Sequence, residues 1–186
     1  MNPPVTAIRD GQRDEDEEAL VRHFATLVGP NRANVAAMPS FEHRRSTVIA
    51  APPAAVHALV ADLHAWTKWS PWEGLDANLQ RTYSGSEKGV GARYAWVGKK
   101  SGEGSMLVTS ATPDRIALDL DFVKPFKASN KVVFRIEPEG NATRVTWTMS
   151  GTRNVLLALM GKLFFDGMIG KDFDKGLAKL KAVAET

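Results

Sequence analysis

The residues of this 186-residue chain best suited to chemistry are aromatic. Trp66, Trp69 and Trp72 recur every third residue, and Tyr83, Tyr94, Trp96 and Trp147 follow. Each offers a large rigid apolar face with an N–H or O–H at its edge, which suits a pocket for an apolar molecule. For any one of them alone, packing an ordinary core is the simpler use. Met106, Met149, Met160 and Met168 could line a pocket adaptably.

Groups for acid–base or metal chemistry are sparse. His57 and His64 lie seven residues apart, and Leu63 and Trp66 surround His64 with apolar neighbours. A structural or surface histidine fits that setting better than a tuned proton carrier. His23 and His43 fall outside the region of the aromatic residues. With no third ligand beside the histidine pair and no cysteine in the chain, neither a metal centre nor a thiolate nucleophile is expected. Gly89-Val-Gly91 has no Walker lysine and no strand–helix context, so it reads as a hairpin and not a phosphate cradle. No cofactor is expected.

The elements that must position these residues follow from periodicity. Phe41–Ala51 reads as a strand ended by Pro52-Pro53, and Ala54–Leu63 as a helix with Val56, Leu59, Val60 and Leu63 on one face. A tryptophan-bearing turn follows, broken at Pro71. From Asn78 the period is two. Leu79, Arg81 and Tyr83 alternate, as do Val90, Ala92, Tyr94 and Trp96, then Ile116, Leu118, Leu120 and Phe122, then Val132, Phe134 and Ile136. Pro138-Glu-Gly-Asn141 is a hairpin turn into Val145-Thr-Trp-Thr-Met-Ser-Gly151. Short turns make neighbouring strands antiparallel. The tail changes period: Ile169, Phe173, Leu177, Leu180 and Ala184 form one stripe of a helix. Gly161, Gly167, Gly170 and Gly176 interrupt it, which predicts a break near Gly167–Gly170.

With the apolar parity facing the tail helix, the charged residues Arg93, Glu103, Asp119, Asp121, Lys131, Arg135, Glu137 and Arg144 all face away. Arg81 is the exception, sharing parity with Leu79 and Tyr83. It either reaches inward or sits in solvent. The parity of the first strand is ambiguous.

Composition excludes several classes. The hydrophobic fraction is 44% and the charged fraction 24%, the balance of a globular domain. A net charge of +3 without a basic run gives no footprint for nucleic acid. No apolar run reaches the roughly 18 residues of a membrane span, and Met1–Gln12 has no apolar core of a signal peptide. The absence of cysteine suits the cytoplasm, the expected location. Residues 1–40 read as an arm, partly disordered, with a short acidic amphipathic helix over residues 14–28. Residues 41–186 form the domain. The composition leaves open a protein partner or a homo-oligomer.

The order strand, helix, tryptophan-rich turn, six strands, long helix resembles the helix-grip fold of the START-related (SRPBCC) superfamily. The residues that carry the likeness are Ser46-Thr-Val-Ile-Ala-Ala-Pro-Pro53, Trp66-Thr-Lys-Trp-Ser-Pro-Trp72, Gly89-Val-Gly-Ala-Arg-Tyr-Ala-Trp96, Thr143-Arg-Val-Thr-Trp-Thr-Met149 and Gly170-Lys-Asp-Phe-Asp-Lys-Gly-Leu177. The chain is similar to the polyketide cyclase/dehydrase-like branch. The resemblance implies an α+β architecture in which a curved antiparallel sheet of about seven strands wraps a long C-terminal helix, with a ligand cavity between. It also implies a hydrophobic small molecule or lipid, held by a carrier or sensor. A cyclase or dehydratase and a co-chaperone-like interaction module are the alternatives, and fold alone does not choose. The residues expected to line the cavity are Trp66, Trp69, Tyr83, Tyr94, Trp96, Met106, Leu118, Leu120, Phe122, Phe134, Trp147, Met149, Phe165, Met168, Ile169 and Phe173. Arg81 and His64 are the expected polar anchors.

Overall fold

The computed structural model describes residues 40–125, 127–152 and 155–186, without the side chains of residues 155–166 and 168. The arm assigned to residues 1–40, with its helix over 14–28, lies outside the described residues apart from Ser40.

Strand β1 (Ser40–Ile49) leads into helix α1 (Pro53–Ala61) and the single turn α2 (Trp66–Trp69). Six strands follow: β2 (Gln80–Gly85), β3 (Ala92–Gly98), β4 (Gly102–Thr112), β5 (Arg115–Lys124), β6 (Ala128–Glu139) and β7 (Ala142–Thr152). Helix α3 (Val155–Ala184) ends the chain. The strands form one antiparallel sheet in the order β1-β7-β6-β5-β4-β3-β2. This is the α+β helix-grip arrangement, with the first strand returned to the edge beside the last.

Local chemistry accounts for the element ends. Pro53 fills the first turn of α1, where its missing N–H has no intrahelical partner to lose. Gly140, with φ of 61°, occupies the first place of the two-residue turn between β6 and β7. Register shifts at Glu103/Gly104 and Val108/Ser110 bend β4 and help the sheet to curve.

The break expected near Gly167–Gly170 is absent: α3 runs unbroken for 30 residues. Tertiary contact explains the difference. A Cβ on Gly170 would collide with the Arg45 guanidinium, and one on Gly176 would lie 2.7 Å from Cζ3 of Trp147 and 3.0 Å from Cδ of Pro71. The two glycines are places of close approach. Packing there offsets the roughly 1 kcal/mol that each costs in helix propensity.

The C-terminal half of α3 is fastened to β1 and to the turn after α2. Lys181 Nζ donates to the Val48 carbonyl at 2.9 Å, Glu185 Oε1 accepts the Ala50 N–H at 2.6 Å, and Lys179 Nζ donates to the Ser70 carbonyl at 3.3 Å. Arg45 pairs with Asp174 at 3.4 Å. Beneath this half lies a closed aromatic core. Trp147 stacks on Phe173 at 4.1 Å and 8°, and on Phe134 at 5.0 Å. Trp66, Trp69 and Trp72 meet Trp147 edge-on.

Asp76 ties the segment before β2 to the β3–β4 turn. Its carboxylate is buried and accepts the N–H of Lys100 at 2.9 Å and of Asn78 at 3.1 Å. These bonds, that from Lys100 foremost, hold its pKa below the usual carboxylate value.

Candidate functional site

Cross-strand register sorts the inner face into rows, because residues directly opposite in an antiparallel ladder share a face. One row runs Tyr83–Tyr94–Met106–Leu120–Asn130–Gly151–Phe41 across all seven strands. Its neighbour contains Arg81, Trp96, Gly104 and Phe122. The charged residues of β5 and β6 face the other way, and Lys131 pairs there with Asp119 at 2.6 Å.

The aromatic residues expected to line one cavity divide into two groups. Trp66, Trp69, Phe134, Trp147 and Phe173 are 0–4% exposed and fill one another's space. Leu118 is buried with them, whereas Ile169 is half-buried against the same core. Stacked rings leave no room between their faces. The second group is half-buried. Tyr83, Tyr94, Trp96 and Phe122 follow one another across β2 to β5 with ring separations of 5.2, 5.8 and 5.8 Å. Met106, Leu120 and Met149, each 6–8% exposed, adjoin them on the inner face. Phe165 and Met168 lie outside the described side chains.

Gly104 makes the aromatic row possible. A Cβ there would run into the six-membered ring of Trp96. Without one, the indole lies across β4, and its Nε1 donates to the Ser101 carbonyl at 3.1 Å.

The expected polar anchors are already partnered. Arg81 donates through Nε to Glu73 Oε1 at 3.3 Å and through Nη2 to Glu73 Oε2, closing a two-bond pair at the rim. That pairing raises its pKa further. His64 is exposed, stacks on Tyr83 at 3.9 Å and 20°, and places Nδ1 3.3 Å from Asp62 Oδ1. Arg81, held by Glu73, also lies beside the Tyr94 phenol, whereas His64 stays at the surface. Glu73, the residue that holds Arg81, carried no periodic signal because it lies in a loop.

Burial pushes the Tyr94 phenol up to about 12 and also raises that of Tyr83. Both hydroxyls are therefore protonated hydrogen-bond donors at neutral pH. A native absorbance titration at 295 nm is expected to show both of the chain's two tyrosines ionising late, Tyr94 last, near pH 12. In denaturant both should titrate near the free value of about 10. Because the folded pKa is the higher one, the associated stability is fully present below about pH 10 and is lost as pH rises through about 12. Native tyrosinate appearing at pH 10 would contradict this placement.

Register also settles β1. His43 stands opposite Met149 and Arg45 opposite Trp147, so both have inner parity. This corrects the placing of His43 outside the region. Among the described residues the inner face also holds buried polar side chains, Thr143 opposite Ile49 and Asn130. Asn130 is 7% exposed, between Leu120 and Gly151. It shares parity with Val132, Phe134 and Ile136, and extending that alternation by one step would have found it.

Among the described residues, no three His, Asp or Glu side chains converge as metal ligands, and no helix is long and apolar enough to cross a membrane. An open depression of about 350 Å³ at the ends of β5, β6 and β7 is lined by polar residues such as Asp119, Asp121, Asn130, Lys131 and Ser150, with Gly151 among them.

Residues 40–185 match the family model described as polyketide cyclase / dehydrase and lipid transport. No curated protein matches the chain. Solved structures share its fold at low identity. Protein CV1439 of Chromobacterium violaceum is 16% identical, with a TM-score of 0.57 over 78% of this chain and 97% of its own. DynU16, from the dynemicin biosynthetic locus, is 16% identical with a TM-score of 0.56, over 80% of this chain and 48% of its own. The Aha1 protein of Colwellia psychrerythraea, solved as a dimer, is 18% identical with a TM-score of 0.54, over 80% of this chain and 97% of its own. At such identities the likeness is one of fold.

Proposed function

The chain belongs to the polyketide cyclase/dehydrase and lipid transport family of the START-related superfamily, and on that premise we propose that it binds a hydrophobic small molecule between the sheet and α3, as a carrier or sensor. The observation that carries this reading is the half-buried row Tyr83–Tyr94–Trp96–Phe122 on the inner face. Rings in that state present apolar area that a ligand can cover, at about 25 cal/mol for each Å² removed from water. Met106, Leu120 and Met149 extend the surface. The closed core of Trp66, Trp69, Phe134, Trp147 and Phe173 is its rigid backing.

Carriage is favoured over catalysis by the titration behaviour of the row. Tyr94 ionises near 12 and Arg81 is held cationic by Glu73, so neither exchanges protons readily near neutral pH. One observation favours the second reading, a cyclase or dehydratase. The Arg81–Glu73 pair sits beside the Tyr94 phenol, where a cation and a hydroxyl could stabilise an enolate oxygen.

Titration with N-phenyl-1-naphthylamine, a neutral apolar dye, tests the binding reading, together with native mass spectrometry of the purified protein. Saturable dye binding at one site per chain is expected, competed by any apolar molecule that co-purifies. A folded protein that gives no saturable binding would remove the reading. Chemical conversion of an extracted ligand on incubation would favour the enzyme.

A further inference from the structure

We propose that Asp76 is a positioning residue of the ligand site. Its carboxylate fixes the β3–β4 turn, and a carbonyl of that turn holds Trp96 as the wall that an apolar ligand covers. This role rests on the reading of the inner face as a ligand site, and adds to it a residue outside the aromatic row on which affinity depends.

The turn needs a hold from outside. β3 ends at Gly98 and β4 begins at Gly102, directly opposite each other in the ladder, with Lys99, Lys100 and Ser101 between. Both lysines are exposed and Ser101 Oγ is buried without a hydrogen bond, so these side chains give the turn little hold. Asp76 supplies it. This residue is 8% exposed. One carboxylate oxygen accepts the Asn78 N–H at 3.1 Å, which closes a local turn before β2, and the other accepts the Lys100 N–H at 2.9 Å. The Ser101 N–H also points to this carboxylate. An ionised acceptor makes the stronger kind of hydrogen bond to a backbone N–H. A Cβ on Gly98 would lie 2.6 Å from Asp76 Oδ2, so the glycine leaves the space in which the carboxylate rests.

Trp96 depends on the same turn. Its Nε1 donates to the Ser101 carbonyl at 3.1 Å, one residue on from the amide that Asp76 holds. The indole is half-buried between Tyr94 and Phe122, with Gly104 beneath it. A half-buried ring keeps room to change rotamer, and the bond to Ser101 selects one orientation. A buried carboxylate before β2 therefore sets the place of the ring through two hydrogen bonds in series.

The test pairs N-phenyl-1-naphthylamine binding with NMR hydrogen exchange of the indole N–H groups. Asp76→Asn fills the same space, but its carboxamide has one accepting oxygen and cannot serve both Asn78 and Lys100. The dye is neutral, so loss of the charge does not act on it directly. Losing the hold of one hydrogen bond is expected to weaken the dye about three- to tenfold, and to speed exchange of the Trp96 indole by a similar factor. The Trp96 signal is the one of the five that disappears in Trp96→Phe. Trp66 and Trp69, bonded to carbonyls of α1, should exchange as in the wild type. In a Trp96→Ala background Asp76→Asn should cost no further affinity. Asp76→Ser, which keeps the local turn to Asn78 but is too short to reach Lys100 as well, serves if the asparagine variant does not fold. Faster exchange shared by Trp66 and Trp69 would mark a general loss of stability and overturn the positioning role, as would a dye penalty that persists without Trp96. Unchanged dye affinity in the folded variant would overturn it and leave the ligand site standing. Absence of saturable dye binding to the folded wild type would overturn both.

Discussion

Trp147→Ala is expected to lower the stability of the domain by about 3–5 kcal/mol in a urea titration. Trp147 is 1% exposed, with Phe173 and Phe134 on its faces and three tryptophans at its edges. Those neighbours are fixed independently. Trp66 Nε1 donates to the Val60 carbonyl at 2.9 Å and Trp69 Nε1 to the Leu59 carbonyl at 3.1 Å. They cannot fall inward to refill the space, so the cavity persists. Trp147 Nε1 has no partner among the described residues, and the cost is therefore one of packing and not of a lost hydrogen bond. Set against a typical total of about 5–15 kcal/mol, the loss leaves the domain marginal. Gly176→Ala probes the same contact from α3. Its added methyl gains about 1 kcal/mol in helix propensity but overpacks Trp147, at about 1–3 kcal/mol, so net destabilisation is expected. A loss under about 1 kcal/mol for Trp147→Ala would mean that the core collapses around the deletion.

The second large effect is expected at Gly104, this time on binding. Gly104→Val should weaken N-phenyl-1-naphthylamine by about tenfold or more, because the branched side chain displaces the Trp96 ring. A Cβ at this position would also approach the Asp121 carbonyl to 2.5 Å. That oxygen belongs to the ladder and yields little, whereas the half-buried Trp96 can swing away. The indole then gives up its bond to the Ser101 carbonyl and leaves the aromatic row. Loss of one aromatic wall is worth about 1.5–3 kcal/mol of ligand burial, which sets the expected factor. Near-UV circular dichroism on the same sample separates local displacement from unfolding. Wild-type affinity in a folded Gly104→Val protein would show that the ligand does not touch Trp96.

The strands were legible because half-buried strands write their two faces in alternate letters. Met106, Leu118, Leu120, Phe122, Phe134, Trp147 and Met149 take the inner face that alternation assigns them. The tail stripe was equally plain, and Phe173, Leu177 and Leu180 are buried as its period requires. Alternation says which way a residue points and nothing about how far the opposing surface lies. Trp66 and Tyr83 therefore looked alike in sequence, yet one is sealed in the core and the other half-open. Arg81 and His64 looked like anchors because their partners, Glu73 and Asp62, sit in irregular segments that have no period to read.

By itself the sequence determined the α+β class, the strand and helix types, the inward and outward parity of β2 to β7, and the absence of cysteine chemistry. These depend on local periodicity and on turn residues such as Gly140. Only the tertiary structure decided the parity of β1, the continuity of α3 through four glycines, the division of the aromatic residues into a closed core and a half-open row, and the exposure of Arg81 and His64 to partners of their own. Each depends on contacts between segments far apart in the chain. β1 pairs with β7 about a hundred residues later, and α3 meets Trp147 and Arg45 through positions whose only sequence signature is a missing side chain. Close approach is a property of two surfaces together, and a single segment carries only one of them.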